Sequence, residues 1–406
     1  MRSITHIKGG VTAPQGFLAA GISCGIKKKG VRDLAMIFSP RPSTAAGSFT
    51  TNRVQAAPVK LDRERLKKGW LQAVVVNSGA ANACTGRRGY ADAEATALHA
   101  ARALRIDPSL VAVCSTGKIG IYLPMDRIRR GVGKLAGIVK RGGNPYAARA
   151  IMTTDTRPKE AAVEFTVGGK TVRVGGMAKG AGMICPRMVV AGAGQATMLA
   201  FLATDAAVSA PRLRAALRRS LPRSFNRITV DADRSTNDTV ILMAGGESGV
   251  RIPATGALAE LFDAAVAAVA GALARMIAAD GEGATKFIAI TVKGARRPAD
   301  AYRAGMAAAN SPLFKSTLYG ETPNWGRLMS ALGASGAFLR EEKVRAWLGK
   351  VKIIDRGRLV PSPRGAVRAE IRKKELGFIV DLGLGNAAET VYTCDLSPEY
   401  VEINKE

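Results

Sequence analysis

Short apolar runs alternate with amphipathic stretches along most of this 406-residue chain. Several runs are rich in Val and Ile, which favours β-strands. The predicted strands lie at 73–77, 111–114, 163–167, 228–230, 240–243, 287–292 and 378–382. Apolar residues at helical spacing predict helices at 91–104, 212–221 and 258–279. Because the strands are too irregularly spaced for a regular strand–helix series, the pattern predicts a mixed α/β fold.

The most apolar stretch, 264–279, is rich in alanine and is interrupted by Arg275. A helix that spans a bilayer needs about 20 predominantly apolar residues. We therefore interpret this stretch as part of a core helix. Residues 1–17 carry Lys8 and lack a sustained apolar run, so we expect no secretory signal.

The charge of the chain is strongly basic, with 60 Lys and Arg against 32 Asp and Glu and a net charge of +28. The basic residues are scattered, and aromatic residues make up only 5% of the chain. A basic field attracts anionic small molecules as well as nucleic acid. We expect specific nucleic-acid binding to be absent, and a basic nucleic-acid-associated protein stays a competing hypothesis.

Cysteine and histidine are both scarce. The five cysteines are far apart and form no C-x-x-C pair, which favours reduced thiols and a cytoplasmic location over disulfides or structural zinc. Only two histidines are present, His6 and His99. An enzyme with a covalent intermediate would therefore need another base, and an α-amine with a pKa of about 8 can serve.

Thr197 has the sequence context of a self-cleaving chain. It follows a glycine-rich stretch and Ala196, and it leads into the apolar residues 198–201. Attack of its hydroxyl on the carbonyl of Ala196, followed by hydrolysis of the ester, would create an N-terminal threonine whose amine can act as base. A glycine loop before a buried strand or helix is the alternative interpretation.

Glycine-containing turns follow several predicted elements: Asn77-Ser78-Gly79, Ser115-Thr116-Gly117 and Gly281-Glu282-Gly283. Such turns expose backbone N–H groups that can hold an anion or a developing oxyanion. An ordinary turn is the alternative at each position.

Ordered blocks along the chain match a known family. The main ones are 16–21, 76–79, 81–86, 115–117, 153–156, 179–184, 196–201, 235–239, 280–286 and 323–327. With these blocks the chain resembles the glutamate N-acetyltransferase/ornithine acetyltransferase family of arginine biosynthesis. The resemblance implies an α/β layered (α+β) sandwich with N-terminal-nucleophile-like chemistry and a connectivity of its own.

The resemblance also implies self-cleavage between Ala196 and Thr197. The products would be an alpha chain, 1–196, and a beta chain, 197–406, and two copies of each would form a heterotetramer. Carried over from the family, the functional residues are Thr197 as nucleophile, Thr116 and Gly117 as oxyanion hole, and Thr153, Lys179, Glu282 and Asn404 as substrate-contacting residues.

The implied reaction is a ping-pong transfer of acetyl from N2-acetylornithine to glutamate through an acyl-threonine. No cofactor, metal or membrane is implied. Bifunctional family members also use acetyl-CoA as donor, and the sequence leaves open whether this chain does.

Three departures from the family pattern lie near functional positions. Residues 189–195 separate Met188 from Ala196, and Arg187 stands where the family usually has asparagine. The chain also ends at Glu406, a few residues before the usual family C-terminus. They motivate an alternative hypothesis, a degenerate member that binds acetylated amino acids without cleavage or turnover.

Overall fold

The computed structural model describes residues 3–186, 188–190, 198–361 and 364–405. The chain forms two compact units. The first unit comprises Met1–Asn226 and Asp233–Ile277, and the second comprises Arg227–Ala232 and Ala278–Glu406. These units do not coincide with the two chains that self-cleavage before Thr197 would produce. That cleavage stays a prediction.

The first unit contains one mixed sheet. Its described strands are β1 Thr5–Ile7, β2 Leu18–Ile22, β3 Leu34–Phe49, β4 Trp70–Ala80, β5 Val111–Lys118, β6 Lys159–Val167, β7 Lys170–Lys179, β8 Val189–Val190, β9 Leu199–Thr204 and β10 Thr239–Ala244. The sheet order is β1-β6-β7-β9-β10-β3-β4-β5, and β2 and β8 both pair with β3. The β9–β10 and β4–β5 pairs are parallel, whereas β7–β9 and β10–β3 are antiparallel. This order places strands that are distant in sequence next to one another.

Helices cover both faces of this sheet. They are α1 Ala57–Leu66, α2 Gly86–Leu104, α3 Met125–Ala136, α4 Asn144–Ala150, α5 Ala210–Ser220 and α6 Ala257–Ala279. In β4, Val74 and Val76 pack in a core cluster with α1 and α4, whereas Ala73 and Val75 pack in another with α2 and α3. A strand that is buried on both faces is apolar at consecutive positions, which explains the apolar run at 73–77.

Helix α6 is long and apolar enough to cross a membrane by length and composition alone. Many of its apolar side chains are buried, including Phe262, Val266 and Leu273. Leu273 and Val269 lie against Gly176 of β7, where a side chain would not fit without a shift. The contacts are those of a core helix, as the sequence indicated.

The second unit has its own mixed sheet, in the order β14-β13-β12-β15-β11-β16. Its elements are β11 Phe287–Ala295, α7 Pro298–Asn310, α8 Pro312–Tyr319, α9 Gly326–Gly333, β12 Arg345–Leu348, β13 Val351–Asp355, β14 Arg358–Leu359, α10 Arg364–Ile371, β15 Glu375–Asp381, β16 Ala387–Cys394 and α11 Pro398–Ile403. Along the chain, short 3-10 turns occur at Pro108–Leu110, Arg141–Gly143, Leu221–Arg223, Phe225–Arg227 and Glu341–Lys343.

The structure confirms the mixed α/β layered fold and most of the predicted elements. The strand predicted at 228–230 is wrong: Ile228 makes one isolated bridge to Tyr392, and no ladder continues from it. Ile228 and Val230 are buried all the same. A short apolar run indicates burial, but burial alone does not require strand pairing.

Candidate functional site

Three of the predicted site residues meet at one edge of the first sheet. Thr116 lies near the end of β5, Thr153 follows α4, and Lys179 ends β7. The ammonium of Lys179 donates to Thr153 Oγ1 at 2.7 Å and to Thr116 Oγ1 at 3.3 Å. Lys179 is only 2% exposed. A buried lysine therefore connects two hydroxyl groups that are far apart in sequence.

A buried carboxylate, Asp155, completes this cluster. Its Oδ1 accepts hydrogen bonds from Lys159 Nζ at 2.6 Å and from the backbone N–H of Gly180 at 2.7 Å. Its Oδ2 lies 3.8 Å from Lys179 Nζ. Burial alone would raise the pKa of Asp155, but the two ammonium groups and the N–H of Gly180 outweigh it and hold the pKa well below its usual range. Asp155 is thus a fixed negative charge beside Lys179.

Gly117 occupies a position that only glycine can fill. Its φ is +125°, a conformation that L side chains rarely adopt. A Cβ here would lie 2.3 Å from the carbonyl carbon of Gly79, the residue that Gly117 opposes across the β4–β5 pair. The backbone beside Thr116 is therefore left without a side chain, as an oxyanion hole requires.

The predicted nucleophile Thr197 and the preceding Ala196 lie outside the described residues. The next residue, Met198, donates its backbone N–H to Asp238 Oδ1. Asp238 is fully buried, and its Oδ2 has no hydrogen-bond partner within the described residues. Burial raises the pKa of Asp238 well above its ordinary value. The buried carboxyl group of Asp238 thus holds the peptide that follows Thr197.

The neighbouring side chain, Asn237, ties the same segment to β5. Its amide donates to the carbonyl of Ser115 at 2.8 Å and to that of Ala81 at 2.6 Å. Ser115 Oγ in turn donates to Asn77 Oδ1 at 2.6 Å. Consecutive residues therefore bind the backbone just before Thr116 and the backbone just after residue 197.

The end of β5 is also anchored from the opposite side. Asp62 of α1 accepts hydrogen bonds from the backbone N–H of Val113 at 2.9 Å and from Cys114 Sγ at 3.7 Å. Burial raises the pKa of Asp62 to about 8. A helix thus fixes the strand that leads directly into Thr116.

Glu282 and Asn404, the remaining predicted residues, lie together in the second unit. Asn404 Nδ2 donates to Glu282 Oε2 at 2.8 Å. Asn404 follows α11, whose start is tied to the adjacent turn because Ser397 Oγ donates to the carbonyl of Gly283 at 2.6 Å. The structure thus pairs two residues that are separated widely in sequence.

Sequence reasoning assigned no role to Asp155, Asn237 or Asp238. All three lie in blocks of the family resemblance, 153–156 and 235–239, which was the only signal available for them. In the described part of the chain, no group of three or more His, Cys, Asp or Glu could hold a metal ion. None of the five cysteines, all of which lie in the described part of the chain, forms a disulfide.

The structure describes the segment before residue 196 only in part. Val189–Val190 form β8 and pair with Ser48 and Phe49 of β3. Arg187 and residues 191–195 lie outside the described residues. The effect of this segment on cleavage stays a matter for experiment.

Comparisons with known proteins agree on one family. A model of the ArgJ family matches residues 18–406. An arginine biosynthesis bifunctional protein ArgJ from Symbiobacterium thermophilum is 49% identical over 401 residues, which cover 98% of each chain. A glutamate N-acetyltransferase from Methanocaldococcus jannaschii is 44% identical over 412 residues, again covering 98% of each. A solved ornithine acetyltransferase from Mycobacterium tuberculosis, complexed with ornithine, is 46% identical, with a TM-score of 0.43, and covers 46% of this chain and 100% of its own.

Proposed function

The chain belongs to the ArgJ family of arginine-biosynthesis enzymes, and we propose that it transfers acetyl from N2-acetylornithine to glutamate. Acetyl-CoA is proposed as a second donor, because several relatives are named bifunctional proteins. Identities of 41–49% over nearly the whole chain do not favour the degenerate, inactive alternative.

The reaction begins with cleavage before Thr197. The Thr197 hydroxyl attacks the carbonyl of Ala196, and hydrolysis of the resulting ester leaves Thr197 with a free α-amine. Thr197 Oγ then attacks the acetyl carbonyl of N2-acetylornithine while its proton passes to the α-amine. The C–N bond breaks, and ornithine leaves with that proton. The amine of glutamate attacks the acyl-threonine, which releases N-acetylglutamate and restores the hydroxyl.

The observation that carries this proposal is the pair of bonds made by Asn237 and Asp238. They hold the carbonyl of Ser115 and the N–H of Met198, the residues next to Thr116 and Thr197. The proposed oxyanion hole and the proposed nucleophile thus share one support. This shared support matters because a displacement of the reacting groups by about 1 Å can lower the rate of such a reaction about a hundredfold.

The hydrogen bond from Lys179 orients the hydroxyl of Thr116 for contact with the oxyanion. Because Thr116 Oγ1 accepts a hydrogen bond from the ammonium of Lys179, its own O–H can donate to the developing negative charge together with the N–H of Gly117. Loss of one such donor typically costs about 10²–10³ in kcat.

Thr153 and Lys179 are proposed to contact the substrate as well. Glu282 and Asn404 are also proposed to contact the substrate. Glu282 would supply a carboxylate for the ammonium group of the substrate, and Asn404 donates a hydrogen bond to that carboxylate. The assembly is proposed to be a heterotetramer of two alpha chains, 1–196, and two beta chains, 197–406.

Mass spectrometry and an acetyl-transfer assay test this function together. The wild-type protein is expected to give two chains, the second starting at Thr197, and to form N-acetylglutamate from N2-acetylornithine and glutamate. Thr197→Ala should stay at the intact mass of 42.5 kDa and lose transfer. Repeating the assay with acetyl-CoA as the sole donor tests the second donor.

Thr166→Ala, at an exposed position of β6, is the matched control and should cleave and transfer like the wild type. A single uncut mass for the wild type would refute self-cleavage. Transfer retained by Thr197→Ala would refute the nucleophile assignment.

A further inference from the structure

A strongly basic cavity lies beside the candidate site in the first unit. It has a volume of about 410 Å³ and lies between the loop that follows β2 and the helix α3. Five cationic side chains line it: Lys27, Lys29, Arg127, Arg130 and Lys134. None of Thr116, Gly117, Thr153 and Lys179 lines this cavity.

Helix α3 contributes three of the five cations on one face. Arg127, Arg130 and Lys134 are spaced at one helical turn and two turns, so their side chains project in the same direction. All three are exposed. Like charges at this spacing repel each other and weaken a helix. An anion bound between them would remove that repulsion.

Among the residues that the structure describes, no acidic one lines the cavity. The nearby Asp33 is fully buried, and its carboxylate accepts hydrogen bonds from the backbone N–H groups of Cys24, Gly25, Ile26 and Lys27 at 2.6–3.0 Å. In the described part of the chain, Asp126 of α3 pairs with Arg129, which is not a lining residue. The charge of the cavity is therefore not neutralised by its own walls.

The thiol of Cys24 in the wall does not add negative charge either. Burial, followed by the charge of Asp33, raises its pKa to about 12. The cavity thus remains cationic at neutral pH, although the pKa of one of its lysines lies close to that pH. Burial and the neighbouring ammonium of Lys179 lower the pKa of Lys27 to about 8.

The loop that lines the cavity also contacts residues next to the candidate site. Lys27 Nζ donates to the carbonyl of Met152, the residue before Thr153. A Cβ on Gly79 would lie 2.8 Å from Ile26 Cγ2 and 3.2 Å from Lys27 Cγ, so the loop packs directly against that glycine. Gly79 in turn opposes Gly117. The same loop therefore lines the cavity and contacts both Gly79 and the residue before Thr153.

We propose that this cavity binds the phosphate groups of a phosphorylated acyl donor, with coenzyme A thioesters as the chemical class. A carboxylate ligand would satisfy one or two of the five cations, whereas a ligand with several phosphates pairs with most of them. A second cavity of about 290 Å³, which shares Ile22 and is lined by Arg32, Lys140 and Tyr146, gives room for the rest of a long ligand.

This inference rests on the proposed acetyl transfer for the identity of the donor, but its test does not depend on turnover. Binding of coenzyme A to the purified full chain is measured by calorimetry, with pantetheine, which lacks phosphate, as the comparison ligand. Coenzyme A should bind at least tenfold more tightly than pantetheine. The double variant Arg130→Glu, Lys134→Glu should weaken coenzyme A binding at least tenfold.

The matched control is Arg87→Glu, Arg218→Glu, which makes the same change of charge at exposed helical positions outside the cavity. It should bind coenzyme A within about twofold of the wild type, because neither side chain lines the cavity and salt weakens the interactions of exposed charges. Circular dichroism verifies the fold of each variant. If the glutamate pair does not fold, Lys134→Gln alone should still weaken binding about threefold.

Several results would overturn the inference: no binding of coenzyme A, equal binding of pantetheine, or equal losses in the two double variants. Duplex DNA that binds the wild type more tightly than Arg130→Glu, Lys134→Glu, without binding of coenzyme A, would overturn it in favour of a nucleic-acid surface. Transfer from N2-acetylornithine to glutamate is assayed separately on the wild type. If the wild type transfers acetyl but does not bind coenzyme A, only the proposed role of the cavity is rejected. If it binds coenzyme A but does not transfer acetyl from N2-acetylornithine, only the proposed reaction is rejected.

Discussion

The carboxyl group of Asp238 accepts a hydrogen bond from the backbone N–H of Met198, the residue that follows Thr197. Both residues are buried. Strands β9 and β10 pair in parallel directly after these two positions, with Thr239 opposite Leu199. Asp238 therefore acts as a positioning residue for the start of β9, and hence for the backbone of the proposed nucleophile.

Asp238→Ala should remove this support and leave the N–H of Met198 buried without an acceptor, at a cost of about 1–3 kcal/mol. We expect kcat for acetyl transfer to fall by about tenfold to a hundredfold, with a smaller change in KM. Asp238→Asn keeps an acceptor oxygen for the N–H of Met198, so it should recover most of kcat. Steady-state kinetics of the two variants would contradict this role if Asp238→Asn were as impaired as Asp238→Ala.

Asp155→Asn should destabilise the first unit strongly. It would leave the buried ammonium groups of Lys159 and Lys179 without that carboxylate, and breaking a buried ion pair typically costs about 3–5 kcal/mol. Because the folded-state pKa of Asp155 is lowered, its stabilisation is present above the unfolded pKa of about 3.9 and is lost only as the pH falls towards the folded pKa. The deficit in Tm should therefore be full at pH 7 and shrink in strong acid.

Asp126→Asn is the control for this measurement, because Asp126 pairs with Arg129 at the surface, where the side chains are 82% and 59% exposed. Exposed pairs contribute about 0–1 kcal/mol, so its Tm should change little. Equal Tm changes for the two variants at pH 7 would show that the Asp155 cluster does not stabilise the fold.

Gly117→Ala should disrupt the turn that follows Thr116. The backbone there has φ = +125°, and the added Cβ would overlap the carbonyl carbon of Gly79 at 2.3 Å. We expect acetyl transfer to fall at least about a hundredfold, since an oxyanion-hole donor moves. Gly271→Ala in α6 has nothing within 4 Å of its Cβ and should be neutral or slightly stabilising. Thermal unfolding and transfer rates of both variants test the contrast; normal transfer by Gly117→Ala would argue against the proposed hole.

Asp62→Asn should gain stability relative to the wild type as the pH rises. The folded-state pKa of Asp62 is raised to about 8, mainly by burial, so the folded state binds its proton more tightly than the unfolded state does. The wild type therefore loses stability from about pH 4 to pH 8, by up to about 1.4 kcal/mol per pH unit. Asparagine does not titrate and can still accept the N–H of Val113.

The difference in Tm between Asp62→Asn and the wild type should grow between pH 5 and pH 8 and level off above pH 8. Glu64→Gln, on the same helix but at an exposed position, serves as the control and should show no comparable trend. A difference that is constant across this range would show that Asp62 does not titrate as its burial implies.

Local sequence pattern determined much of the fold. The apolar run at 73–77 became the doubly buried strand β4, and the helical spacing at 258–279 became α6. These predictions succeeded because strand and helix periodicity record which faces of an element are buried. The run at 228–230 failed because it is too short for burial to distinguish a strand from a buried loop.

The family, and Thr116, Gly117, Thr153 and Lys179 as candidate site residues, could be predicted from sequence alone because these residues lie in recognisable blocks. The contacts of Asp155 with Lys179 and of Asp238 with Met198, and the shared cavity of Lys27 and Arg130, became apparent only in the folded chain. They arise because the sheet order makes β7, β9, β10 and β3 neighbours through pairing between segments that are distant in sequence. Side-chain periodicity shows which face of each element is buried, whereas the contacts between residues distant in sequence depend on which elements pair.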